Sequence, residues 1–193
     1  VHRYLPLGLP KDVRDYVREA VTAGTATGVK FKVKGNLHDF PYTTPKQGDF
    51  RISADMHDAT FAYVPSFLLD KGSLQWPALT QLSGELVIDR AVLQVKGAHG
   101  NIANTAGLRV TKVDGVVDSL YGGATVTVTA AAQGPLTDIL GVVNGSPLGG
   151  LMGKALDHAS ATGAADYRFK LAFPIAAVDR ATVRGTIALA GNE

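Results

Sequence analysis

Apolar residues recur along this chain with two different periods, and the change between them falls near residue 25. Upstream, Val13, Tyr16, Val17, Ala20 and Val21 follow the i, i+3, i+4, i+7, i+8 stripe of an amphipathic helix. Lys11, Asp12, Arg14, Asp15, Arg18 and Glu19 fill the opposite face, Pro10 suits the first turn, and Gly24 is the expected terminator. Such a helix lies on something apolar: a sheet it caps, or a membrane surface. Downstream the period becomes two. Val29, Phe31 and Val33 alternate with Lys30, Lys32 and Lys34. Phe50, Ile52, Ala54 and Met56 alternate with Arg51, Ser53 and Asp55. Val126 and Val128 alternate with Thr125, Thr127 and Thr129, and Tyr167, Phe169, Leu171 and Phe173 with Arg168, Lys170 and Ala172. Val183, Ile187 and Leu189 share a parity with Gly185. One apolar and one wet face per strand is the mark of antiparallel sheet.

Segments 26–37, 123–133 and 161–173 predict strands of about 36–43 Å at ~3.3 Å per residue, well beyond an ordinary strand. Shorter strands are expected over 59–63, 83–89, 91–97 and 108–118, with tight connections at Asp89-Arg90 and Gly122-Gly123. A helical interruption opens at Pro135, and Ser146-Pro147 starts its second run, which Gly149, Gly150 and Gly153 weaken. The expected fold is mainly β with a few short helices: a long, curved, antiparallel meander forming an open groove. No linker divides it, so 1–193 reads as one module. Its parts are a helix region 1–24, strands 25–134, the interruption 135–159 and strands 160–193.

Composition narrows the function. Lys and Arg total 19 against 17 Asp and Glu, and the basic residues form no stripe of the kind that binds nucleic acid. Lys30, Lys32 and Lys34 read as a solvated strand face, or else as a contact for an anionic ligand. Cysteine is absent, which excludes disulfides and thiolate metal sites. The five histidines have no metal-ligand spacing. His57 beside Asp55 and Asp58 is the nearest approach to it, and surface solvation accounts for that group. The stretch Gly145–Lys154 fails as a phosphate loop at Leu148 and Ala155, and no nucleophile elbow occurs. No cofactor and no catalysis are expected. No leader pattern follows Val1-His2-Arg3, and the chain is expected to be a fragment of something longer.

The order of features resembles the YhdP family, within the wider AsmA-like group that includes TamB. Tyr4-Leu5-Pro6 precedes the amphipathic helix, and a strand from Gly28 leads to Gly35-Asn36-Leu37-His38-Asp39-Phe40-Pro41-Tyr42. Gly48-Asp49-Phe50, Ala59-Thr60-Phe61 with Tyr63, and Trp76-Pro77-Ala78-Leu79 follow. Gly134-Pro135, Ser146-Pro147-Leu148, Leu171, Pro174 and Val183-Arg184-Gly185 complete the series. Tyr16-Val17 stands where that family usually carries a tryptophan-leucine pair, and about ten residues, Ser66 to Gln75, form an insertion before Trp76. The resemblance implies a section of a bridge-like periplasmic protein, anchored in the inner membrane of a Gram-negative envelope. Such a protein is expected to move phospholipid between inner and outer membranes, which it reaches through other parts of the chain.

A sheet with one apolar face must bury it, close on itself or offer it to a ligand. Acyl chains suit such a face, since each methylene leaving water contributes about 0.8 kcal/mol without directional bonds. The expected lining is Val29, Phe31, Val33, Phe50, Ile52, Val126, Val128, Tyr167, Phe169, Leu171, Val183 and Ile187. Two other readings compete. One is a closed β-sandwich adaptor docking other envelope proteins. The other is a hydrolase using two of Asp55, Asp58, Asp89, Asp114 and Asp118. The oligomeric state is not legible in the sequence.

Overall fold

A computed structural model of the protein describes residues 10–40 and 42–189. Tyr4-Leu5-Pro6, Pro41 and Gly191-Asn192-Glu193 lie outside the described residues. Helix α1 (Lys11–Ala20) is followed at once by β1 (Val21–Gly35). Then come β2 (Gly48–Phe61), β3 (Leu79–Asp89), β4 (Val92–Ile102), β5 (Arg109–Val117) and β6 (Thr125–Pro135). Helices α2 (Leu136–Asn144) and α3 (Pro147–Leu151) precede β7 (Ala164–Pro174) and β8 (Thr182–Leu189). The strands form a single eight-stranded antiparallel sheet in sequence order, with β1 and β8 as its two free edges. The sheet is an open meander and does not close into a barrel.

Two sequence expectations shift. The helix ends at Ala20, four residues before Gly24, because the chain there turns straight into sheet pairing. Gly24 has φ +122°, and a Cβ on it would lie 2.8 Å from Ala59 Cα, so its glycine serves a close approach of β1 to β2. The strands expected at 50–56 and 59–63 are one strand: β2 continues through a bulge at Asp58, whose φ is 51°. A bulge keeps the pairing while switching which residues face the core. The sheet therefore has fewer and longer strands than the pattern of alternation suggests.

The helical interruption forms as its start signals direct. The Ser146 side chain accepts the Leu148 N–H with Pro147 in the first turn, and the glycines leave α3 only five residues long. On the outer face, ion pairs link Lys32 to Asp49, Asp49 to Arg90, Arg90 to Asp89 and Asp89 to Arg51 across β1, β2 and the β3 turn. Solvent-exposed pairs of this kind contribute little each, so the apolar face carries most of the stability.

At the closed end of the β1–β2 hairpin Tyr42 is fully buried, and a Cβ on either Gly35 or Gly48 would come 3.0 Å from its ring. Phe40 packs edge-on against it at 5.7 Å, and the chain of edge contacts continues through Phe50 to Phe31. The Tyr42 hydroxyl is buried and has no hydrogen-bond partner among the described residues. A buried hydroxyl without a partner costs about 1–3 kcal/mol. Tyr42→Phe should therefore stabilise the chain by about 1 kcal/mol and raise the melting temperature by roughly 2–4 °C. An unchanged thermal melt would mean that water reaches the hydroxyl.

Candidate functional site

Cross-strand partners point to the same side of a sheet, so the register alone states which residues share a face. One line of partners runs Phe31, Ile52, Ile88, Leu93, Val117, Val126, Phe173 from β1 to β7. A second runs Ala54, Leu86, Val95, Gly115, Val128, Leu171, Val183 from β2 to β8. Every member of both rows is apolar. Val33 pairs with Phe50, Tyr167 with Ala132 and Ile187, and Phe169 with Ala130 and Gly185, which puts these positions on the same face. Val29 lies in the β1 register shift between Thr27 and Lys30 and has no partner to place it. Eleven of the twelve expected lining residues thus share one apolar face of the sheet.

Their accessibility differs by strand. Phe50, Val126, Val128, Tyr167 and Leu171 are buried, with Val128 only 6% exposed, while Ile52 and Phe169 are half-buried. Val29, Phe31, Val33, Val183 and Ile187, all on the edge strands, are exposed, Phe31 at 66% and Ile187 at 56%. Leu189, which shares their parity but was not in the expected lining, joins them. The middle of the face is roofed and the two edges are not.

Part of that roof is α1. Val13, Tyr16, Val17 and Ala20 turn inward, and the Tyr16 hydroxyl donates to the Tyr63 carbonyl at 2.9 Å. Burial pushes the hydroxyls of both Tyr16 and Tyr63 well above the usual tyrosine range, so the roof is fastened by neutral groups. The fit is incomplete. Between α1 and the sheet lies a narrow cleft of about 60 Å³. Tyr16, Val17, Ala20 and Val21 line it from above, and Met56, Leu82, Leu86, Val95, Gly115 and Val128 are among those lining it from the sheet. That one space touches both β2 and β6, four strands apart, is what a sheet rolled about its apolar face produces.

Several of these lining residues escaped the sequence reading for one reason. Strands β2 to β5 each change parity once, at register shifts that include the positive-φ residues Asp58, Gln81 and Gly97. Leu79 and Leu82 then face the same way, as do Val95 and Ala98, and simple alternation disappears. A break of parity flanked by glycine or a turn former was the available signal.

Three of the five aspartates considered for a hydrolase are engaged in separate local contacts. Asp89 pairs with Arg51 and Arg90, Asp118 accepts the Thr125 N–H, and Asp114 accepts the Gly97 N–H at 2.8 Å. The Gly97 bond, with Lys112 beside it, holds the Asp114 carboxyl below the usual carboxylate range. No group of three His, Asp or Glu able to hold a metal occurs among the described residues. The insertion forms a short 3₁₀ turn at Ser66–Leu68 and borders a second, more polar cleft shared with Glu19, Trp76, Asn104 and Ser146.

The family model described as YhdP protein matches residues 1–193. The chain belongs to the YhdP family. It is similar to the intermembrane phospholipid transporter YhdP of Escherichia coli (strain K12), at 27% identity over 98% of this chain. This YhdP-family chain spans only 14% of the length of that relative. No solved structure matches it. Among the described residues no helix is long and apolar enough to cross a membrane.

Proposed function

We infer that this chain is one section of a periplasmic lipid bridge and that its apolar face carries phospholipid acyl chains between the inner and outer membranes. The membranes themselves are reached through other parts of a longer protein, and no catalytic step is involved. The observation that carries this reading is the pair of uninterrupted apolar rows, one from β1 to β7 and one from β2 to β8, whose edge-strand ends, Phe31 and Val183, are uncovered. Six strand spacings of ~4.8 Å give about 29 Å along each row, against the roughly 15 Å that one tail occupies in a ~30 Å bilayer core. A tail lying along a row would be held by burial alone, about 0.8 kcal/mol per methylene, with nothing fixing it at one register. Uncovered apolar side chains gathered along both edge strands mark an occupied or docking surface.

The burial of Val126, Val128, Tyr167 and Leu171 favours a second reading, a closed adaptor layer whose edges dock other envelope proteins. Native mass spectrometry of the purified 193-residue chain decides between them. Adducts of phospholipid mass that disappear on delipidation and return with added lipid are expected for the bridge. Adduct-free protein that also takes up no fluorescent acyl probe would leave the adaptor.

A further inference from the structure

Strand β8 carries apolar residues on its inner face and a cation on its outer one, and every one of its side chains is exposed. On the outer face Lys170 lies directly opposite Arg184, with Arg168 two residues along β7. Like charges facing each other across a strand pair are destabilising. Among the described residues, none of the three cations makes a side-chain hydrogen bond or an ion pair. The acidic residue sharing their strand face is Asp166, beyond Arg168 and opposite Ala188. On the inner face, Phe169 lies between these same cations in sequence and pairs with Gly185, which has no side chain to cover the ring. A Cβ at Gly185 would meet only the Arg168 carbonyl oxygen, at 3.6 Å. At Gly185 the free edge of β8 therefore has no side chain, with Val183, Ile187 and the Phe169 ring on the inner face and three unpaired cations on the outer face.

We propose that a phospholipid wraps the free edge of β8 at Gly185, its tail on Phe169, Val183 and Ile187 of the inner face and its headgroup phosphate on Arg184, Lys170 and Arg168 of the outer face. This rests on the acyl-chain reading above and adds a headgroup class to it. Guanidinium and ammonium groups bind phosphate oxygens through charge-assisted bonds, and a phosphate here also relieves the repulsion between Lys170 and Arg184. A neutral headgroup can do neither.

The test compares two single-tailed probes below their micelle concentrations, lauroyl lysophosphatidylglycerol and monolauroylglycerol, on the delipidated 193-residue chain by calorimetry. The phosphate-bearing probe is expected to bind roughly tenfold more tightly. Replacing the cations together (R168Q, K170Q, R184Q) should abolish that factor while leaving monolauroylglycerol binding unchanged, and the factor should shrink as salt rises from about 50 to 300 mM. Equal affinity of the two probes for the native chain overturns the headgroup site and leaves the acyl groove standing. Failure of both probes to bind overturns the groove reading itself. A preference removed by millimolar inorganic phosphate assigns the cations to free phosphate, against the proposal. If the triple variant self-associates but keeps the preference, the cations only protect a sheet edge, and the proposal fails.

Discussion

Val128→Asp will destabilise the chain by about 4 kcal/mol or more, whereas Phe31→Asp will leave its melting temperature within a few degrees of the native value. The two positions share one face of one sheet, yet their surroundings differ. Val128 is buried between Gly115 and Leu171, where a carboxylate would have neither water nor a partner. A domain stabilised by roughly 5–15 kcal/mol has little reserve against that. Phe31 lies on the free edge, and what it loses is one edge-on contact with Phe50 at 5.8 Å, worth about 0.5–1.5 kcal/mol. Acyl-probe binding should nevertheless fall in the Phe31 variant, because a charge then stands at the mouth of the apolar row. Thermal melts of both variants beside a probe titration make the comparison. Equal destabilisation would place β1 inside a closed core and remove the open edge on which lipid entry depends.

The contrast between those two residues also marks what the sequence can express. Alternation identified the face correctly for β1, β6, β7 and β8, because these stretches hold one parity over the residues used and their partners on the neighbouring strands obey it. It gave no information on exposure. Val126 and Ile187 look alike in sequence, but Val126 lies in the roofed middle and Ile187 on an uncovered edge. Edge or centre is a property of strand order, which a single sequence does not display. The central strands were harder for a different reason. Bulges at Asp58, Gln81 and Gly97 cancel the alternation that would have named Leu82, Leu86 and Val95. The α1 roof was legible as a helix with one apolar stripe. Its seating over the sheet depends on the direct passage from Ala20 into β1 and on the Tyr16 bond to Tyr63, contacts 47 positions apart that periodicity does not encode.

On the acyl-groove reading, Gly115→Leu will weaken acyl-probe binding more than tenfold while the chain stays folded. Gly115 is the one position in the second apolar row with no side chain, and it lines the cleft beneath α1. A Cβ placed there would meet only Val95 Cβ, at an ordinary 3.7 Å, so the backbone needs no adjustment. A glycine inside a strand costs about 0.5–1 kcal/mol relative to alanine, and replacing it removes that penalty. Gly115→Ala should therefore raise the melting temperature slightly and keep probe binding. The leucine side chain reaches further into the cleft. If it displaces about two methylenes of a tail, roughly 1.6 kcal/mol of burial is lost, more than tenfold in affinity. A closed core responds differently, since a leucine forced into filled space costs about 1–3 kcal/mol through strain. The same substitution thus separates the two architectures by sign: a stable chain that no longer takes up lipid, or a destabilised chain whose lipid uptake never depended on this position.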